Sequence, residues 1–427
     1  MDENELNKRR EERTRERQFM SRQRLLMKVG LIITGVTFVC CMAALLVTYG
    51  IISSKRPVEE KPTVQATQPP VQTVPQPTRP DTVIHFIAGG DLNVTDRAVA
   101  SGAVGSGFDY TQTFLDVAPV LADGDLTSLN LEGSIYGAPY GDENRSAPVQ
   151  MLEALQRAGV DLIQTANSYA VINGISGLQQ TIAGVKGAGM TPVGTFVDSE
   201  EFEKTGGYVI RNIRGVRVAI VAFTKGMDGM GLPKGSEDCV NLLYSDYNSS
   251  YQKVDTAGIR KVLRAAQAKA PDVTIALLHW GSEFNDQISK TQKTITTLML
   301  EEGVDAIVGT HSHYVQQVVH DGEKGTLIAY SLGDFFGDGI KAGTNYSILL
   351  DIEITKSGAT GKAAVTGFSY TPVYIADQTA EGKGLQVMRI REAIAAYESN
   401  SLGKVPEEVY RGMVAALERI ESRVNGT

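Results

Sequence analysis

The sequence predicts an α/β domain carried behind one membrane-spanning helix and an extended tether. Three observations carry this expectation. An uncharged apolar run lies close to the N-terminus, a proline-rich stretch follows it, and beyond that short apolar runs alternate with amphipathic helical patterns.

Residues 1–28 read as a basic cytoplasmic segment. Arg15, Arg17, Arg22, Arg24 and Lys28 precede the apolar run with only Glu16 among them, and the positive-inside rule places such an end in the cytoplasm. Val29 to Ile52 then run for 24 positions without a charge. At about 1.5 Å per residue that exceeds the hydrocarbon thickness of a bilayer. A helix of a soluble core is rarely apolar on every side for so long, and a cleaved signal peptide has a shorter apolar run followed by a small-residue site. Residues 29–52 are therefore expected to be a retained signal anchor, with the rest of the chain outside the cytoplasm. In the tether, residues 53–81, seven prolines fall between Pro57 and Pro80 among Thr, Gln and Val. That composition favours an extended, polyproline-like spacer.

From Thr82 the texture changes. Val83–Ala88, Leu126–Leu131, Asp161–Ala166, Val216–Phe223, Thr274–His279 and Asp305–Val308 are short apolar runs that predict strands. Between them Gln150–Ala158, Gly174–Ala188, Ala257–Ala268 and Gln292–Glu302 carry helical apolar spacing. Such alternation predicts a central sheet with flanking helices. After Tyr346 the runs 346–354 and 363–375 become strand-like again, which predicts an antiparallel portion. The main domain is expected over residues 82–380. Residues 381–427 are expected as a C-terminal extension, largely helical by the spacing between Gly384 and Val424.

Composition excludes some partners. Residues 1–81 hold 13 Lys+Arg against 9 Asp+Glu, so the chain's net charge of −8 leaves −12 on residues 82–427. A domain so acidic repels phosphate backbones, and nucleic acid is not an expected partner. An acidic polymer would have to be held by bound metal or clustered Lys and Arg. Cys239 is the one cysteine beyond the apolar segment, so the domain is expected to stand on its core without a disulfide.

The residues with metal chemistry gather at predicted strand ends. His311 and His313 follow the run Asp305–Val308, and His279 ends Thr274–His279 and leads into Trp280-Gly281. Imidazoles in this arrangement suit zinc, manganese or iron, and the ends of strands are where α/β sheets form ligand crevices. A lone strand-end histidine is usually a satisfied polar residue, but an H-x-H pair with a second strand-end histidine points to a site. Asp91 after the first strand and Glu132 after the second offer carboxylate ligands, with Asn130 a neutral one. Either acid alone would serve equally well as a turn former or helix cap. His85 and His320 read as strand residues without this role.

Taken in order, the segments resemble a known family. Gly90-Asp91, Asn130-Leu131-Glu132, Ala166-Asn167 with Gly174 and Gly177-Leu178, His279-Trp280-Gly281, Gly309-x-His311-x-His313 and Tyr330-Ser331-Leu332-Gly333-Asp334-Phe335 resemble the CapA family of capsule (poly-γ-glutamate) biosynthesis proteins, over about residues 83–337. The family is related to calcineurin-like metallophosphoesterases. The resemblance implies a four-layer α/β/β/α sandwich with a divalent metal centre at the strand ends, and a ligand set of Asp91, Glu132, Asn167, His279, His311 and His313. It also implies an anchored extracytoplasmic protein with the membrane, polymer-synthase subunits and an anionic polymer as partners. The chain departs from the family pattern where an Ala-Asn-Asn-His segment followed by Asp is replaced by Ala166-Asn167-Ser168-Tyr169 and Ile172. It departs again in Asp91-Leu92-Asn93, without the Asp-x-His of phosphoesterases, and in Asp334, where the family has Asn. Ser168 and Tyr169 thus stand where a metal ligand and a general acid are expected. Three functions stay open: a component of capsular or envelope polymer synthesis or export, a metal-dependent phosphoesterase or polymer hydrolase, and a vestigial domain serving only as a scaffold.

Overall fold

The structure, a computed structural model, describes residues 79–401 and 405–426. The anchor and all but the last three residues of the tether lie outside the described residues. Among the described residues, no helix is long and apolar enough to cross a membrane.

Among the described residues sixteen strands follow one another: β1 (Thr82–Asn93), β2 (Ala103–Val104), β3 (Gly107–Phe108), β4 (Leu126–Glu132), β5 (Leu162–Gln164), β6 (Thr191–Val193), β7 (Tyr208–Ile213), β8 (Val216–Thr224), β9 (Val273–His279), β10 (Ala306–Thr310), β11 (Val318–Asp321), β12 (Thr326–Ala329), β13 (Asp334–Phe336), β14 (Tyr346–Lys356), β15 (Ala363–Gln378) and β16 (Gly384–Arg389). One sheet has the order β16-β15-β14-β1-β4-β5-β6, with β13 also paired to β1; the other has the order β11-β12-β10-β9-β8-β7. In the first, β1, β4, β5 and β6 are parallel, and β14, β15 and β16 add antiparallel strands. In the second, β8, β9, β10 and β12 are parallel. These are mixed sheets of an α/β protein.

The apolar runs are continuous because the parallel strands are covered on both faces. Val218 and Ile220 of β8, Ile275 and Leu277 of β9, Phe86 of β1 and Ile348, Leu350 and Ile352 of β14 meet in one core, which lies between the two sheets. The alternate residues of β8 and β9, Ala219, Val221, Ala276 and Leu278, face outward against Ile259, Val262 and Leu263 of helix 256–267 and Ile295 and Met299 of helix 290–301. On the other flank Leu129, Leu131 and Ile163 pack on Met151, Leu152 and Leu155 of helix 149–157. Apolar clusters thus lie between the sheets and between each sheet and the helices that cover it.

The helices start where local chemistry directs. Asp255 accepts a hydrogen bond from Gly258 N–H at 3.0 Å and caps helix 256–267. Ser289 and Gln292 satisfy each other's backbone N–H groups in a capping box that opens helix 290–301. Cys239, the one cysteine among the described residues, is buried and unpaired.

The C-terminal region differs from the expectation. Residues 384–389 form β16, antiparallel to β15 at the sheet edge, with Leu385 and Val387 in the outer core. Six residues of alternating pattern running directly into a helix do not separate a period of two from one of 3.6. The helices 390–398 and 407–425 that follow are not an appendage. Ile390, Ala393, Val409, Met413, Ile420 and Val424 join the core between the sheets, so the domain reaches the end of the described chain and does not stop at residue 380.

Candidate metal centre

Parallel strands of both sheets deliver their C-terminal ends to one place. β1 brings Asp91 beside Asn130 of β4 and Asp334 of β13. This close approach depends on Gly90: a Cβ there would lie 1.8 Å from the Gly333 carbonyl oxygen, which accepts a hydrogen bond from Asp91 N–H at 3.0 Å. From the second sheet, β9 ends on His279, and β10 runs into His311 and His313. Both of these histidines have positive φ, 84° and 59°, a backbone region that costs a non-glycine residue energy. This break in strand alternation turns two imidazoles at i and i+2 toward the same side. The first is held across the sheets, because His311 N–H donates to Asp91 Oδ2 at 2.9 Å.

Glu132 stands at the centre. His279 Nε2 lies 3.3 Å from its Oε1, His311 Nδ1 3.8 Å from the same oxygen, and His313 Nδ1 3.7 Å from Oε2. Neither carboxylate oxygen takes a hydrogen bond of good geometry, and Asn130 Oδ1 is likewise buried without a donor. Asn130 Nδ2 donates to Asp91 Oδ1 at 2.6 Å. His279 places Nδ1 3.0 Å from Thr310 Oγ1, and His313 Nδ1 is 2.7 Å from Asp334 Oδ1.

Burial and mutual charge set the protonation of the cluster. Burial raises Asp91 to about 7, and the neighbouring Glu132 charge adds to the rise. Burial also pushes Glu132 upward, but His313 and His279 outweigh it and hold the carboxyl well below its ordinary range. Burial lowers His311 to about 3, helped by His279. His313 is driven down by burial but ends well above its ordinary value, because Asp334 and Glu132 face it. Asp334 is raised to about 6, chiefly by burial.

Two sets of donor atoms, each within 4.8 Å of one another, emerge from this geometry: Glu132, His279 and His311, and Asp91, Glu132 and His313. Glu132 belongs to both. Ringed by imidazole nitrogens at 3.3–3.8 Å but without a well-formed hydrogen bond, the buried Glu132 carboxylate keeps lone pairs open to a cation. Mixed imidazole and carboxylate donors suit divalent transition metals. The residues present therefore fit a divalent metal.

Five of the six residues read from the sequence, Asp91, Glu132, His279, His311 and His313, are brought together. Asn167 is not. Its Nδ2 donates to the Leu131 carbonyl and to Thr165 O, and its Oδ1 accepts Tyr169 N–H at 2.7 Å, so the side chain is spent clamping the loop after β5. Its neighbour Ser168 enters the cluster instead, with Oγ 2.9 Å from His279 Nε2 and 3.3 Å from His311 Nδ1. The sequence reading also left out Lys225, whose Nζ lies 3.2 Å from His311 Nε2 and donates to the Gly281 carbonyl. A signal was present, since Lys225 follows the strand Val216–Thr224 at the same edge as the histidines. His85 pairs with Asp351 and His320 packs on Phe368; neither joins the cluster.

Fold and site together define an α/β two-sheet protein with a buried acid–imidazole centre at its strand ends. The family described as bacterial capsule synthesis protein PGA_cap matches residues 85–338, and the chain belongs to that family. Curated relatives include the capsule biosynthesis protein CapA of Bacillus anthracis, 27% identical over 261 residues, with 59% of each chain covered. The PGA biosynthesis protein CapA of Bacillus subtilis is 24% identical over 271 residues, covering 62% of this chain and 66% of that one. The chain thus matches less than two thirds of the length of either relative. Among solved structures, a phosphatase from Mycoplasma pneumoniae is similar at 15% identity and a TM-score of 0.43, over 70% of this chain and 97% of that one.

Proposed function

We propose that this protein acts in the synthesis or export of a capsular or cell-envelope polymer of the poly-γ-glutamate class, anchored by residues 29–52 with its domain outside the cytoplasm. The observation that carries this reading is the family match over residues 85–338, which spans every residue of the acid–imidazole cluster. The uncharged run with its basic flank and the proline-rich tether support the location. Deleting the gene should abolish or sharply reduce the envelope polymer, measured as acid-released glutamate, and the full-length gene should restore it. Unchanged polymer in the deletion strain would sink the reading.

Asp91, Glu132, His279, His311 and His313 are the residues that would hold divalent metal here. Bound metal would supply Lewis acidity and a water of lowered pKa. The chain's own groups do the rest. Asn130 orients Asp91, Thr310 faces the remaining nitrogen of His279, and Asp334 orients His313. Burial of the whole cluster excludes bulk water.

A second reading, a metal-dependent phosphoesterase or polymer hydrolase, is favoured by this same buried cluster. Against it stands Tyr169 in the general-acid position. Burial and the Glu132 charge raise its phenol to about 12, which suits it poorly to proton donation in turnover near neutral pH. Hydrolysis of phosphoesters or γ-glutamyl chains by metal-loaded protein would favour this reading.

A further inference from the structure

We infer that a row of cations laid on aromatic rings, running from His313 to Arg423, binds the carboxylates of a γ-linked glutamyl chain and leads that chain past the metal cluster. The inference deepens the polymer reading above and rests on it for the choice of anion.

The row begins at the cluster. Phe284 stacks on His313 with ring centroids 4.9 Å apart and an interplanar angle of 19°. Lys341 lies on the same ring, its Nζ 3.1 Å from the centroid. Phe284 is 38% exposed and is held at a positive φ of 54°, with its N–H donating to the Ser312 carbonyl at 2.8 Å. A large apolar ring kept partly in water by a strained backbone is unusual in a core but ordinary on a binding surface. Lys341 makes no ion pair with any carboxylate among the described residues.

The row continues outward. Tyr314 meets Phe284 edge-on at 6.3 Å, and the Arg423 guanidinium lies 5.0 Å from the Tyr314 ring centroid. Arg423 uses Nη2 on Asp286 at 3.3 Å, while its Nη1 is buried without an acceptor. The guanidinium also lies 5.9 Å from the Tyr346 ring centroid, and the side chain as a whole stays 22% exposed, so part of this ring-seated cation faces water. Arg423 also lines a cavity of about 640 Å³ shared with Lys293 and Arg419, opposed by Asp286 and Glu418. Two further cations are seated on rings: Arg145 lies 4.7 Å from the Tyr169 ring, and Lys225, which also reaches His311, lies 4.7 Å from the Tyr251 ring.

The chemistry selects the ligand. Residues 82–427 carry a net charge of −12, so long-range attraction does not draw a polyanion in, and local cations must do so. Cations seated on rings are oriented and partly desolvated, and the rings offer apolar faces between the charges. A γ-linked glutamyl chain matches this alternation, because each unit carries one pendant carboxylate and two main-chain methylenes. A compact anion such as a single phosphate would use one cation and leave the rest of the row idle.

The test is binding of a fluorescein-labelled γ-glutamyl oligomer to the full-length chain, followed by anisotropy at graded salt. Lys341→Gln and Arg423→Gln should each weaken binding about fivefold, the pair about 25-fold if the contacts are independent, and Lys341→Arg should restore most of the loss. Metal content and melting temperature serve as controls that the variants fold. Unchanged affinity in the double variant would overturn the inference. So would equal binding of an oligomer whose carboxylates are amidated, or polyphosphate competing as well as the glutamyl chain. The deletion strain separates the two claims: polymer lost on deletion with no oligomer binding refutes the row alone, whereas binding with polymer unchanged refutes the function.

Discussion

Replacing Glu132 with Gln removes one carboxylate from both donor sets while keeping the side chain's volume. Glu132 is the only residue common to the sets Glu132–His279–His311 and Asp91–Glu132–His313, and both of its oxygens are buried without hydrogen-bond donors. Metal that binds the folded protein alone stabilises it by about 2.7 kcal/mol when free metal is a hundred times Kd. In a domain of this size that corresponds to a rise in Tm of a few degrees. The quantity to read is the increment in Tm on adding manganese or zinc, because any change in the metal-free protein then cancels. Elemental analysis after exhaustive dialysis gives the stoichiometry. Glu132→Gln should lose both the increment and the bound metal, while His279→Ala and His313→Ala should each lose only the position their imidazole serves. Wild-type metal content and an undiminished Tm increment in Glu132→Gln would refute the shared-carboxylate arrangement.

Asn167→Ala distinguishes a clamp from a ligand. It leaves the Leu131 carbonyl and Tyr169 N–H without their partner and should cost about 2–4 kcal/mol in denaturant unfolding, with metal still bound at saturating concentration. Gly90→Ala drives a Cβ to 1.8 Å from the Gly333 oxygen and should destabilise the fold by about 3 kcal/mol or more, read from the same unfolding curves. Asp305 accepts Thr274 N–H at 2.8 Å, and burial raises its carboxyl to about 6. A raised acid favours folding while protonated, so this stability is present below the unfolded value near pH 4 and is lost as pH climbs through 6. Asp305→Asn should therefore raise stability at pH 7 by about 2–3 kcal/mol and leave it nearly unchanged at pH 4. Equal effects at both pH values would contradict the assignment.

Much of the domain was legible because parallel strands covered on both faces leave uninterrupted apolar runs, and β1, β4, β8, β9 and β10 all begin within about two residues of where those runs start. Strand ends then marked the site, since His279 closes such a run and Asp91, Glu132, His311 and His313 each follow one within five residues. What escaped had no periodic signature. β16 is short and fuses with a helix. Asn167 and Ser168 differ by one position at the mouth of β5, and Asn167 is engaged by the Leu131 carbonyl, a contact between residues 36 apart in sequence that no local pattern announces. Asp334 looked like a departure from the family pattern; in the fold it is the carboxylate that faces His313. Lys225 lacked a partner in its own segment, because His311 lies 86 residues away.

The donors of the cluster run from Asp91 to His313, with Asp334 behind the last of them. No shorter stretch of the chain contains the set, and in the folded domain β1, which carries Asp91, is paired with both β13 and β14. A metal would therefore meet the full donor set only after most of the domain has emerged. Mixed nitrogen–oxygen sites follow the ordinary ranking of divalent affinities and discriminate weakly among metals by themselves. A metal held by these donors would therefore be selected by the place where folding ends, through whatever ion is free there. Completing the same polypeptide on the two sides of a membrane would then offer the same donors two different sets of ions.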